Sequence, residues 1–202
     1  MAVSSIGIDE PGVPDKFLHS NSRTISAVVR EDQYILWGQN AYPTYTAIGS
    51  AVATTTSLSH LLFIQADGTL YTRLLRAWVV VAGDYPTAAT DAQVQILRTS
   101  TAGSGGGVVT VGAMDSADTY AGTVQTLPSS KGTEGALLWQ CRVPLPAAAP
   151  AVAPLPFYEA GPYGKPIVFG TGTGAGICFK LVTGIASAAV DVVAEFIQTT
   201  YL

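Results

Sequence analysis

The feature that most constrains the fold of this chain is its series of short apolar runs, which are rich in branched and aromatic residues and end at glycine, proline or polar turns. In the last run, residues 189–197, apolar side chains alternate with Asp191 and Glu195, the period-two pattern of a strand with one buried face. Roughly eight to ten such runs occur, and no stretch has helical periodicity. The sequence therefore predicts an all-β protein.

Strands of this number and spacing predict two packed sheets, a β-sandwich with a jelly-roll-like order, in a single domain over residues 23–202. Residues 1–22 contain Pro11, Gly12 and Pro14 without apolar periodicity, and they are predicted to form an extended N-terminal arm. Residues 144–166 hold seven prolines, which lack the backbone donor that a central strand requires. This stretch is predicted to be a proline-rich excursion within the domain.

The clearest individual strands are predicted at residues 59–64, 70–82, 92–98, 136–143, 177–182 and 189–197. Asp67-Gly68 favours a tight turn that joins the first two of these strands as a hairpin. An earlier hairpin is predicted from residues 25–29 and 34–37, which flank the charged tripeptide at residues 30–32. Residues 41–56 are predicted to be a long surface connection with at most a weak strand.

Charged residues are scarce: they make up 12% of the chain, against about 25% in typical soluble domains. Much of the surface must then be uncharged, which suits lasting contact with neighbouring molecules. The net charge of −4 offers no cluster of cations that could neutralise phosphates. We therefore expect no binding of nucleic acid.

The residues that carry catalysis or bind metals are few and scattered. His19 and His60 lie 41 positions apart, and Cys141 and Cys178 do not form a CxxC motif. The glycine-rich segment 170–176 matches neither a dinucleotide fingerprint nor a P-loop, and a turn or bulge at a sheet edge is expected there. Asp115 and Asp118 do not fit a calcium-binding loop and are expected to be solvated. The sequence predicts no enzymatic activity, no cofactor, no metal and no small-molecule substrate.

The first residues of the chain lack the basic region and the apolar core of a signal peptide. No apolar stretch reaches the roughly 18 residues that a membrane helix needs. We therefore expect synthesis in a cytoplasm and no association with a membrane.

The arm, the proline-rich excursion and the aromatic residues of the loops are the candidate contact elements, because aromatic side chains serve as anchors in protein interfaces. Arg73 and Arg76 are added because they lie in a long strand, on opposite faces if it is regular; they either pair with Glu134, Asp191 or Glu195 of the same chain or form a salt bridge between subunits. The candidate interface residues are Ile8, Pro11, Pro14, Phe17, Tyr42, Tyr45, Arg73, Arg76, Pro154, Phe157, Tyr158 and Tyr163.

The phrases DGTLYTRLLRAWVVVAG, KGTEGALLW and VDVVAEFIQTTY, together with the opening SIGIDEPGVPDK, resemble those of a broad group of tailed-bacteriophage virion proteins. In these proteins a β-sandwich or jelly-roll domain decorates or cements the capsid, or belongs to a head or tail appendage. The resemblance implies a homo-oligomeric structural protein of the virion, made in the host cytoplasm, that binds the major capsid protein or other virion proteins. It implies no catalytic residue.

Two alternatives remain open at this point. The protein could be a tail or head-fibre component, which differs from a capsid decoration protein in position and copy number. It could also be a carbohydrate-binding module for host attachment, in which loop aromatic residues stack on sugars.

Overall fold

The computed structural model describes residues 43–148, 156–160, 165–172 and 174–199 with their side chains, and the backbone of three strands nearer the N-terminus. The chain divides into two compact units, Met1–Ala41 and Tyr42–Leu202. All the regular structure of the described residues is β-strand. The predicted all-β class is confirmed.

The first unit contains a three-stranded antiparallel sheet with the order β1-β2-β3, made of Ser5–Gly7, Phe17–Ile25 and Val28–Gln33. The sequence predicted an arm up to residue 22 and a hairpin that excluded the charged tripeptide. In the structure the tripeptide, residues 30–32, lies within β3, and the hairpin partners are β2 and β3. An apolar run in the sequence indicates a strand with a buried face. Polar segments can also pair through their backbones, so the polar parts of β2 and β3 were not predicted.

The described residues of the second unit form twelve strands in two antiparallel sheets. Sheet I has the order β11-β7-β14-β5-β10-β8, and sheet II has the order β12-β6-β15-β4-β9, with β13 also paired to β6. The strands of this unit are β4 (Thr44–Ala53), β5 (His60–Gln65), β6 (Tyr71–Val81), β7 (Thr90–Thr99), β8 (Gly107–Val108), β9 (Val111–Ala113), β10 (Thr123–Thr126), β11 (Glu134–Leu145), β12 (Tyr158–Glu159), β13 (Ile167–Gly170), β14 (Gly176–Leu181) and β15 (Ala189–Thr199).

The pairing of these strands is nested. β7 pairs with β11, β6 with β12 and β13, β5 with β14, and β4 with β15. The second half of the unit therefore retraces the first half in reverse. The additional pairings of β14 with β7 and of β15 with β6 join these strand pairs into the two sheets.

One hydrophobic core draws residues from both sheets, so the unit is a β-sandwich. In β15, Val190, Val192, Ala194 and Phe196 are completely buried while the acidic residues between them are partly exposed, as the alternation predicted. The side chains of one face of each sheet are thus removed from water against the other sheet, which is the main favourable term in the stability of such a fold.

Two local predictions were wrong. Residues 41–56 contain β4, which lies inside sheet II between β15 and β9; its alternation was hidden because its buried positions include small residues such as Ala47. The turn at Asp67-Gly68 exists, with φ of 90° at Gly68 and Asp67 accepting hydrogen bonds from the backbone of Thr69 and Leu70. However, it carries the chain from sheet I to sheet II instead of closing a hairpin, since β5 and β6 belong to different sheets.

The described part of the proline-rich excursion follows the rules for proline in sheets. Pro144 lies in β11, which forms the edge of sheet I, where a missing backbone donor is tolerated. β12 and β13 then pair with β6 at the edge of sheet II. The excursion thus contributes two short strands to the sandwich.

Phe196 is a suitable test of the core. Its ring is completely buried, and its centroid lies 5.7 Å from that of Tyr45 and 5.1 Å from that of Tyr120. We expect Phe196→Ala to lower the free energy of unfolding by about 3–5 kcal/mol, because the substitution loses buried area and leaves a cavity. Urea titration of the two proteins measures the difference.

Ile48→Ala is the control for this substitution, since Ile48 lies on the outside of the same sheet and is 51% exposed. It should change the free energy of unfolding by less than about 1 kcal/mol. Equal losses in the two variants would contradict the assignment of the two faces.

Candidate interaction surface

The outer face of sheet II, which points away from the core, carries a row of apolar side chains. Ile48 of β4 is paired with Val193 of β15, and Val193 is paired with Trp78 of β6. Ile48 is 51% exposed, and Val193 and Trp78 are half-buried. Because the solvent face of an antiparallel sheet is normally polar, this apolar row is a candidate contact surface.

An ion pair borders the apolar row. Nε of Arg76 lies 2.6 Å from Oε2 of Glu195, and the guanidinium carbon of Arg76 lies 5.5 Å from the centre of the Trp78 ring. The arginine is therefore held between a carboxylate on the neighbouring strand and an aromatic ring on its own strand. An apolar centre with a charged rim is the usual composition of a protein interface.

The structure places Arg73 and Arg76 on the same face, so the prediction of opposite faces was wrong. In the pairing of β6 with β15, Glu195 faces Arg76 and Phe196 faces Leu74, which makes Leu75 an extra residue. This bulge shifts the alternation by one position. Of the two interpretations of these arginines, pairing with Glu195 within the chain is the one observed for Arg76.

Three aromatic candidates are core residues. Tyr45, Phe157 and Tyr158 are 2%, 6% and 7% exposed. The hydroxyl of Tyr45 donates to the carbonyl of Thr119, and that of Tyr158 accepts a hydrogen bond from the backbone of Ile167. Their assignment as surface anchors is therefore corrected: the three rings fill the core, and the hydroxyls of the two tyrosines bond to backbone.

The remaining candidates are not placed by the structure. The side chain of Phe17, at the start of β2, is not described. The other six lie outside the described residues: Ile8, Pro11, Pro14, Tyr42, Pro154 and Tyr163.

The sequence missed Ile48, Trp78 and Val193 as surface residues, although a signal was present. Residues 77–81 at the end of β6 are apolar without a break. An unbroken apolar run in a strand indicates that both faces are apolar. In the structure Val79 of this run faces the core, whereas Trp78 and Val80 are partly exposed.

Sheet I carries a cluster of ionisable side chains on its outer face. Oε1 of Glu134 lies 2.8 Å from Nε2 of His60, and Oε2 of Glu134 lies 2.5 Å from Nζ of Lys180. Sγ of Cys178 lies 3.5 Å from the same Nε2 of His60. Glu134 therefore ties the start of β11 to β14 and β5, which are two and three strands away in the sheet.

The geometry of this cluster suits a structural role. His60 and Cys178 are completely buried, and burial raises the pKa of the Cys178 thiol to about 12. A reactive cysteine needs the opposite, a lowered pKa and access to a substrate. In addition, one nitrogen of His60 meets both Cys178 and Glu134, whereas a catalytic triad uses both ring nitrogens.

The segments singled out for ligand chemistry have conformational roles or lack ligand clusters. Gly170 and Gly174 adopt φ of 125° and 83°, in a turn between β13 and β14. Within the described residues, no group of three or more His, Cys, Asp or Glu side chains is placed to hold a metal ion, and this includes Asp115 and Asp118. No helix in the described part of the chain has the length and apolar character needed to cross a membrane.

Comparison with known proteins gives no relative. No protein-family model, no curated protein and no solved structure matches this chain. The contact surface is therefore argued from its own geometry.

The cluster on sheet I predicts a loss of stability in acid. Burial lowers the pKa of His60 below its ordinary 6.5, against the opposing effect of Glu134. Burial alone would raise the pKa of Glu134, but the hydrogen bonds from Lys180 and His60 outweigh it and lower that pKa below 4.5. Both groups bind protons less readily in the folded than in the unfolded state, so the free energy of unfolding should decrease below pH 6.5 and decrease further below pH 4.5.

Urea unfolding between about pH 7.5 and about pH 5 measures the contribution of the histidine. We expect His60→Gln to reduce the dependence on pH in this range, because the substitution removes the group that is protonated preferentially in the unfolded chain. An unaltered slope in His60→Gln would contradict the prediction.

Proposed function

We propose that this protein is a non-enzymatic structural protein of a tailed-phage virion, a capsid decoration or cement protein that binds the major capsid lattice and stabilises the head. The observation that carries the proposal is the exposed apolar row of Ile48, Val193 and Trp78 beside the Arg76–Glu195 ion pair. A surface of this kind loses unfavourable contact with water when a second protein covers it.

The strand order supports the same proposal. We infer that the sandwich is a jelly roll, because β4 to β7 pair in nested order with β11 to β15 and alternate between the two sheets. β8, β9 and β10 are then an insertion that lengthens both sheets at one end. Jelly rolls are typical of viral capsid proteins, and they also occur in lectin domains.

The proposed mechanism is the burial of surface, repeated over the lattice. A specific contact buries roughly 1,600 Å² in total, and each decoration subunit on a symmetric shell adds such a contact without any chemical step. In addition to the apolar row, the arm (residues 1–22) and the proline-rich excursion (residues 144–166) are proposed to contact the capsid or neighbouring subunits.

A role as carbohydrate-binding module receives less support from the described residues. Sugar binding would use exposed aromatic rings, but the candidates Tyr45, Phe157 and Tyr158 are buried. Trp139 is 44% exposed, and its indole N–H already donates to the carbonyl of Phe157. A tail or head-fibre position shares the fold and the apolar surface with the leading proposal. Copy number per particle separates these two positions.

Sedimentation of the purified protein with undecorated capsids tests the proposal. We expect saturable binding at a fixed ratio to the major capsid protein. Ile48→Glu should weaken this binding at least about tenfold, because it would place a charge in the centre of a desolvated contact. Met114→Glu is the matched control, since Met114 is 63% exposed but lies just after β9, outside the apolar row.

The outcomes separate the parts of the proposal. If the unaltered protein does not bind, the decoration role is wrong. If Ile48→Glu binds as well as Met114→Glu, the outer face of sheet II is not the contact. A folded variant without residues 1–22 that retains full binding would exclude the arm.

A further inference from the structure

A cleft with two cations lies at one open edge of the sandwich. It has a volume of about 510 Å³, and it lies where the edge of sheet I, with β7 and β11, approaches β13 of sheet II. Its lining residues include Tyr71, Arg98, Leu138, Lys165, Ile167 and Phe169. The cleft therefore combines apolar surface with two positive charges.

Among the described residues, no carboxylate lines this cleft. Elsewhere in the second unit, Arg76, Arg142 and Lys180 lie within 2.6 Å of a carboxylate oxygen. In the described part of the chain, Arg98 and Lys165 have no such partner. In a chain with ten Lys and Arg residues and a net charge of −4, two uncompensated cations in one cleft indicate an anionic ligand.

Arg98 is oriented towards the cleft by the protein itself. Its Nη1 donates a hydrogen bond to the carbonyl of Val168 over 2.8 Å, so the guanidinium bridges from β7 to β13. The other two guanidinium nitrogens, Nε and Nη2, keep donors that can bind a carboxylate. A positioned guanidinium loses less entropy on binding than a free one.

We propose that this cleft binds residues 8–15 of a second copy of the chain. This segment, IDEPGVPD, contains Asp9, Glu10 and Asp15 and no cation, and no stretch of eight residues elsewhere in the chain, outside residues 8–16, has three acids. Its charge is complementary to Arg98 and Lys165. Ile8 and Val13 provide apolar side chains for the apolar part of the cleft.

The segment joins β1 to β2, whose ends Gly7 and Phe17 are paired, and its composition also favours binding. Pro11 and Pro14 restrict the backbone before binding, so less conformational entropy is lost when the segment is held. The inference rests on the contacts between neighbouring subunits in the proposed function, and it specifies which surfaces of two copies meet. It concerns association in solution, so it can fail while binding to capsids succeeds.

A charge-exchange experiment tests the contact. The cleft variant carries Arg98→Glu and Lys165→Glu, and the segment variant carries Asp9→Lys and Glu10→Lys, both in the full chain. Analytical ultracentrifugation of each protein over a series of concentrations, without capsids, measures self-association. Lys131→Glu is the control, because it reverses one charge outside the cleft, the same change as Lys165→Glu alone.

We expect the unaltered protein and the control to self-associate, and each variant alone to do so at least about tenfold more weakly. An equimolar mixture of the two variants should recover association, since the exchanged charges are again complementary. Association of the unaltered protein should weaken as salt is raised, because the charges are screened.

Three results would overturn the proposal. The first is an unaltered protein that stays monomeric, and the second is a cleft variant that associates normally. The third is a mixture that does not recover association, which would mean that the segment binds its own chain or does not enter the cleft. Lys165→Glu alone, at an exposed position, provides a second cleft variant if the double substitution does not fold as judged by circular dichroism.

Discussion

The structure of the second unit depends on the burial of two sheet faces against each other. β15 and β6 pair over most of their length, and Phe196, Ala194 and Val192 of β15 are completely buried against the opposite sheet. Neither sheet could shield this face from water alone. The nested order of pairing is compatible with this packing. Successive strands from β4 to β7 alternate between the two sheets, and each pairs with a strand from the second half of the unit.

The two outer faces of the sandwich differ in a way that bears on function. On sheet I, Phe63, Leu97 and Cys178 form a separate buried cluster, and the bonds from Glu134 to His60 and Lys180 join three strands beside it. On sheet II, the corresponding apolar row remains partly exposed. The protein thus buries this small cluster on sheet I by itself, although Leu137 of β11 in the same sheet is 52% exposed. In the proposed function, the apolar row on sheet II is covered by a partner.

Much of the fold could be predicted from the sequence, whereas most of the candidate surface could not. The long strands with strict alternation, such as β15, were predicted because one buried face imposes a period of two. β4 was missed because small residues fill some of its buried positions. The aromatic residues Tyr45 and Phe157 were assigned to the surface because they stand next to turns and prolines, but position along the chain does not decide burial when strands cross between two sheets.

The bulge at Leu75 shows why residue spacing alone could not predict which side chains share the surface. A single extra residue in β6 brings Arg73 to the face of Arg76 and places Arg76 opposite Glu195; in a regular strand, odd spacing would separate the two arginines. Pairing with Glu195 satisfies Arg76 within the chain, so that a partner which covers Trp78 does not have to desolvate an isolated charge. The same reasoning separates the cleft at Arg98 and Lys165 from the apolar row: its charges have no carboxylate among the described residues, and a ligand there must provide one.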